Sequence, residues 1–202
     1  MCGRYYIEID ERELKGICDS ITTERQGREE QRREEQLEIK LRGEVFPTDI
    51  VPVRIGAGEY QAMKWGFAGF DGKPIINARS ETASIKPMFR ESMKTRRCLI
   101  PASGYFEWKR EGNKKVKHRI YIPERTIFMA GCFRQEKGAP LNHFVILTRA
   151  AANGLESIHE RMPVIIPQRH AEKWLRESLD VMSEAELDLG LVIECDEFRI
   201  EA

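Results

Sequence analysis

Residues 98–148, CLIPASGYFEWKREGNKKVKHRIYIPERTIFMAGCFRQEKGAPLNHFVILT, read as a succession of strands. Runs rich in β-branched and aromatic side chains recur at Cys98–Ile100, Tyr105–Lys109, His118–Ile122, Ile127–Phe133 and His143–Thr148. Such residues fit a pleated, half-buried surface and are enriched in strands. Outward toward the amino terminus, Tyr5–Ile9, Val51–Ile55 and Tyr60–Phe67 read as further strands, the last two separated by a Gly56–Gly58 turn. Toward the carboxyl terminus, Met162–Ile166 and Leu191–Cys195 complete the set. Helices are expected at Glu11–Ser20, Pro87–Thr95, Gln168–Glu177 and Ser183–Leu189, with Pro87 acceptable in a first turn. Glu24–Lys40, dense in Glu, Arg and Gln with opposite charges at helical spacing, reads as an exposed helix with a solvated face. Many short strands with peripheral helices predict a β-rich α+β domain. No Pro/Gly/Ser-rich linker divides the chain, so residues 1–202 are expected to form one domain.

Composition narrows the function classes. The chain has 202 residues, and 41% hydrophobic content is enough to fold. Its 33 basic and 33 acidic residues cancel, so any nucleic-acid contact must use local patches. The five cysteines are widely spaced without a CxxC pair, which argues against a zinc site or a disulfide framework and for a reducing cytosol. No metal and no cofactor are expected. Neither a leader sequence nor a membrane-length apolar run is present in these residues.

Cys2 follows Met1 directly. Aminopeptidases remove an initiator methionine when the next side chain is small, which predicts Cys2 as the mature terminus. An α-amine and a thiol would then share one carbon skeleton, with ordinary pKa values of roughly 8 and 8.5. A 1,2-aminothiol condenses with an aldehyde through nitrogen and closes through sulfur to a thiazolidine. An internal cysteine lacks the amine. Gly3 removes bulk beside this nucleophile, and Arg4 supplies a planar cation suited to phosphate.

Three further segments carry chemistry-bearing side chains. Asn77-Ala78-Arg79-Ser80-Glu81-Thr82 follows the apolar Ile75-Ile76, so Asn77 emerges at a strand end able to donate and accept. In Gly104-Tyr105-Phe106-Glu107-Trp108, strand alternation sends Phe106 and Trp108 to the face opposite Glu107. A Glu107 that faces a closed pocket would have a raised pKa suited to acid–base work; one that faces solvent would be ordinary. His159-Glu160-Arg161-Met162-Pro163 adds a proton carrier and another arginine. His118, His143 and His170 receive no role.

The order Met-Cys-Gly-Arg, Asn-Ala-Arg-Ser-Glu-Thr, Gly-Tyr-Phe-Glu-Trp and His-Glu-Arg-Met-Pro resembles the SOS response-associated peptidase (SRAP) family over nearly the whole chain. The resemblance implies a single compact domain with a mixed, barrel-like sheet and a groove for single-stranded DNA. It implies autocatalytic removal of Met1 and covalent capture of abasic sites by Cys2. Asn77 would position the opened sugar or a nearby phosphate, Glu107 would move protons during sugar opening and ring closure, and His159 would orient or protonate the sugar oxygen and assist reversal. Arg4, Arg79 and Arg161 would contact phosphate. Trp65, in Trp65-Gly66-Phe67, would stack on a base, with a buried strand tryptophan as the alternative. The chain reads Glu44-Val45-Phe46-Pro47-Thr48-Asp49 where the family commonly has Asn-x-Ala-Pro-Thr-Gln.

Two other functions remain open on sequence. One is an N-terminal-nucleophile amidohydrolase of the glutaminase type, which also begins Met-Cys-Gly. The other is a non-covalent single-strand binder in which Cys2 is incidental. The abasic-site reading predicts a monomer of the bacterial cytoplasm, nucleoid-associated when bound to damaged single-stranded DNA, with no membrane partner.

Overall fold

A computed structural model describes residues 2–8, 16–17, 38–176 and 190–195. Its strands are β1 (Tyr5–Ile7), β2 (Gly43–Val45), β3 (Ile50–Arg54), β4 (Tyr60–Trp65), β5 (Phe67–Ala68), β6 (Pro74–Ile75), β7 (Asn77–Arg79), β8 (Arg97–Ala102), β9 (Gly104–Glu111), β10 (Lys114–Tyr121), β11 (Ile127–Gln135), β12 (Asn142–Ala150), β13 (Arg161–Pro163), β14 (Ile165–Ile166) and β15 (Val192–Cys195). Helices at Ser80–Ala83, Arg90–Thr95 and Ala171–Arg176 are short and lie between strands in the chain. The fold is α+β and dominated by sheet.

β12, β4, β3, β8 and β11 pair in that order, and β11 pairs back onto β12. This circuit closes a barrel, which removes the open edges that a flat sheet would expose. β4 and β7 both run parallel to β12, and the remaining barrel pairings are antiparallel, so the sheet is mixed. Beside the barrel lies a second sheet of order β15-β10-β9-β1-β2.

Period-two alternation decides which side chains fill the barrel. On β12, Phe144 and Ile146 join the cluster that also holds Met63, Trp65, Ile100 and Met129. Their neighbours Val145 and Leu147 face the other way, onto Phe89, Met93 and Trp174 beneath the helices. The first cluster continues into the second sheet through Tyr5, Ile7, Tyr105 and Ile120, and it contains Cys2. Gly131 lets β11 close on its neighbours. A Cβ there would stand 2.5 Å from Ile100 Cδ1 and 2.6 Å from the Val145 carbonyl.

Most expected strands form within a few residues of their predicted bounds, and two are broken for identifiable reasons. Tyr60–Phe67 divides at Gly66, whose φ of +114° suits glycine, and whose added Cβ would meet Pro74 Cβ at 2.8 Å. Met162–Ile166 divides into β13 on β12 and β14 on β11. Val164 links the two, donating to Leu147 O and accepting from Ala130 N. The helix predicted from Pro87 begins at Arg90, and the one predicted from Gln168 opens as a 3-10 turn through His170. Of Glu11–Ser20 only Gly16 and Ile17 are described, both helical. Glu24–Lys40 lies outside the described residues except for its last three, where Ile39 bridges Ile50. Ser183–Leu189 lies outside them entirely. Among the described residues, no helix is long and apolar enough to cross a membrane.

Candidate active site

The amino-terminal segment is pinned along β9. Tyr5 lies opposite Tyr105, Tyr6 lies opposite Gly104, and Phe106 N donates to Arg4 O at 3.0 Å. This pairing sets Cys2 beside β9, on the face that carries Tyr105 and Glu107. β7 approaches from the barrel, and Asn77 Nδ2 donates to the Cys2 carbonyl at 2.9 Å. Asn77 can reach that carbonyl because β7 runs parallel to β12, with Asn77 opposite Ile146.

Glu107 is 4% exposed. Burial pushes its carboxyl up to about 7, partly opposed by the nearby amino terminus of the chain. A carboxyl in that range can both accept and release a proton near neutrality. Cys2 is 0% exposed, and burial first, then the Glu107 carboxylate, drive its thiol well above the ordinary range. Its sulfur lies 4.0 Å from Arg4 O. The thiol at rest is therefore protonated and needs a base.

His159 follows the 3-10 turn Leu155–Ser157 and anchors to it through N–H to Leu155 O at 3.0 Å. Its Nδ1 accepts from Arg161 N at 3.0 Å. That hydrogen bond assigns the neutral tautomer: the ring proton sits on Nε2, which is then a donor. Burial holds this imidazole below its ordinary pKa, and the amino terminus adds to the effect. The same amino terminus acts on Glu107. Cys2, Asn77, Glu107 and His159 thus converge from the segment before β1, from β7, from β9 and from the loop before β13.

The arginines diverge. Arg4 pairs with Glu44 at 3.2 Å, and its guanidinium lies 4.3 Å from the Phe46 ring centroid and 5.0 Å from that of Trp108. Arg161 forks onto both Glu81 oxygens at 2.6 and 2.8 Å and also donates to Thr148 O. That pair holds the Glu81 carboxyl at about 2. Arg79 is exposed, immediately before the helix Ser80–Ala83.

Trp65 corrects the sequence reading. It is 0% exposed, donates Nε1–H to Ile76 O at 3.0 Å, and stacks on Phe144 at 6.3 Å. No face of the ring is open to a base, and the residue belongs to the core. Three features escaped the sequence. Phe46, 39% exposed, carries the Arg4 guanidinium; Phe70 protrudes fully from the turn after β5; and Tyr5 and Tyr105 add two buried hydroxyls to the cluster that contains Cys2. Alternation from Glu107 places Tyr105 on the same face, but the partner strand that brings Tyr5 opposite it has no local signature.

The model of the SOS response associated peptidase (SRAP) family matches residues 1–199. The chain belongs to the SRAP family. Curated relatives of this SRAP chain include the abasic site processing protein YedK of Escherichia coli, 36% identical over 66% of this chain and 63% of that one. Another is YoaM of Bacillus subtilis, also named an abasic site processing protein, 38% identical over 52% of this chain and 48% of its own length. A yeast relative of the same description, YMR114C, is 28% identical over 86% of this chain and 54% of that protein. The chain spans less than two thirds of the length of each of these curated relatives. Among solved structures, a protein from Bacteroides thetaiotaomicron superposes with TM-score 0.76 at 23% identity, covering 96% of this chain and 91% of that one. One from Bordetella bronchiseptica gives 0.74 at 19% identity, covering 98% and 100%. Both likenesses concern the fold.

Proposed function

We propose that this SRAP chain captures abasic sites in single-stranded DNA, as its relatives' names suggest for them, through a thiazolidine built on Cys2. The observation that carries the reading is the convergence of Cys2, Asn77, Glu107 and His159 on one amino terminus. Hydrolysis of the Met1–Cys2 bond consumes one water, releases methionine and frees the α-amine. Cys2 is fully buried among core residues, so capture also requires that this terminus become accessible to the strand.

The abasic deoxyribose opens to an aldehyde, and the α-amine condenses with it, releasing water and leaving an imine. His159 Nε2–H is the donor suited to the sugar oxygen during opening. The Cys2 sulfur then adds to the imine carbon, its proton passing by way of Glu107 to nitrogen. Reversal of the same steps releases the intact abasic site; a lyase-like outcome would instead come from the imine, by loss of a C2′ proton and β-elimination of the 3′ phosphate. Asn77 holds the Cys2 carbonyl and so fixes the aminothiol. Arg4, Arg79 and Arg161 are the phosphate contacts, with Phe46 as a stacking surface beside Arg4. We further read residues 1–202 as one domain, acting as a monomer in the bacterial cytoplasm, nucleoid-associated when crosslinked.

Protein with a Cys2 terminus confirmed by intact mass is incubated with uracil-containing single-stranded DNA and a uracil glycosylase. The expected result is a band that survives denaturing electrophoresis and disappears in Cys2→Ala. Its absence with the confirmed terminus overturns the reading. Ammonia release from glutamine through a Cys2 thioester would favour an amidohydrolase instead.

A further inference from the structure

Two buried phenols belong to the core cluster that contains the terminal cysteine. Tyr5 of β1 and Tyr105 of β9 oppose each other directly in an antiparallel pair, so their side chains share a face. Both are fully buried in the cluster that contains Cys2. Among the described residues, neither hydroxyl has a hydrogen-bond partner. Buried hydroxyls are normally paired, and phenylalanine would fill nearly the same volume without stranding an oxygen. Two orphaned donors side by side mark a place where an acceptor arises during the reaction.

The sulfur is that acceptor. Burial first, and Cys2 next, push both phenols far above the ordinary tyrosine range, so a charge on sulfur is felt at each. The phenols therefore stay neutral and remain donors throughout the neutral range. A sulfur that loses its proton here faces desolvation first and the Glu107 carboxylate next, both unfavourable to an anion and only partly offset by the amino terminus. Its contact at Arg4 O is with an acceptor, and the Asn77 amide is committed to the Cys2 carbonyl.

We propose that the Tyr105 and Tyr5 hydroxyls donate hydrogen bonds to the Cys2 sulfur as it becomes a thiolate, which makes them catalytic residues of ring closure. The inference rests on the abasic-site reading. In the step, the S–H bond breaks and its proton goes to the Glu107 carboxylate. The sulfur lone pair forms the bond to the imine carbon. The C=N π pair moves to nitrogen, which takes the proton back from Glu107. The phenols keep their protons and stabilise only the transient charge.

The charged or titratable groups that bear on this cluster are Glu107 of β9, Asp49 before β3, His159 before β13 and the amino terminus. Tyr5→Phe, Tyr105→Phe and the double variant leave all of them in place. In protein with a confirmed Cys2 terminus, ring-product formation on abasic single-stranded DNA falls about tenfold in each single variant and further in the double. Imine trapped by borohydride is unchanged, because that step needs only the amine. Iodoacetamide alkylation, read on the Cys2 peptide because Cys195 is exposed, moves to higher pH. Unchanged ring formation and an unmoved alkylation profile in a folded double variant overturn the proposal. Should the variants fail to fold, protein labelled with 3-fluorotyrosine supplies the second measurement: its more acidic phenols must move the profile to lower pH, and an unmoved profile again overturns it. Wild-type protein that forms neither imine nor ring refutes the abasic-site reading, while the alkylation profile, which needs no DNA, still judges the hydroxyls.

Discussion

The burial of Glu107 costs stability in a pH-dependent way. Its carboxyl ordinarily titrates near 4.5, and burial raises it to about 7 in the folded chain. Below pH 4.5 it is protonated folded or unfolded and has no effect. Between 4.5 and 7 the folded state holds a proton that the unfolded state releases, so stability falls as pH rises through that window and then levels. Glu107→Gln removes the slope. Denaturant unfolding at pH 4.5 and pH 8 is expected to show the variant gaining on wild type by on the order of 2–3 kcal/mol. In the same variant, crosslinking falls about a hundredfold with single-stranded DNA affinity intact; equal loss of both assigns Glu107 a structural role. Trp65 and Phe46 make the complementary pair. Trp65→Phe loses the bond to Ile76 O and core volume, so it costs about 1–3 kcal/mol of stability while the folded protein binds DNA as before. Phe46→Ala leaves stability nearly unchanged and weakens DNA binding about fivefold or more, as loss of one stacked base does. At this scale Cys2, Asn77, Glu107 and His159 were legible because their residue types and motif order constrain them. The Arg161–Glu81 clasp was not, because the partner of a charge eighty positions away leaves no local pattern.

Individual strands were readable where alternation ran for several residues, as on β9, β11 and β12. The three-residue β2 and β7 were not, because their partners define them. β7 matters most, since its parallel pairing with β12 is what delivers Asn77 to the terminus. Two glycines separate the barrel from the site. Gly131→Ala crowds β8 and β12 inside the barrel and should cost about 2–3 kcal/mol, with normal crosslinking per folded molecule. Gly104→Ala drives a Cβ to 2.6 Å from Ile120 O and 2.7 Å from Tyr6 Oη, between β1 and β10. Because Cys2 lies three residues before β1 and β9 carries Glu107, this change should lower both stability and the crosslinking rate of the folded fraction. Thermal melts scaled against single-turnover crosslinking distinguish the two, and identical behaviour would show that β1 does not set the geometry of the terminus.

Across the whole molecule, acidic and basic residues cancel, and no net charge draws the chain to DNA. On the proposed reading, attraction comes from Arg4, Arg79 and Arg161, two of which already hold carboxylates. Glu44 occupies Arg4 and Glu81 occupies Arg161, so a phosphate arriving at either must displace or share an existing anion. Exchange of one anion for another yields less than binding at an empty cation, which argues for modest affinity before the covalent step. The salt dependence should still report the contacts. Three guanidinium–phosphate contacts, at about 0.7 counterions released per single-strand phosphate, give a slope of log K against log salt near −2. Arg79 is exposed, and among the described residues its guanidinium bears on Glu81 less than Arg161 does, so it is the clearer probe: Arg79→Ala should weaken binding evenly across sequences and reduce the slope by about 0.7. Fluorescence anisotropy from 50 to 200 mM salt, with Cys2→Ala protein so that only reversible binding is read, measures both. A flat salt response would mean that something other than these arginines holds the strand, and the crosslink would then have to owe its selectivity to the aldehyde alone.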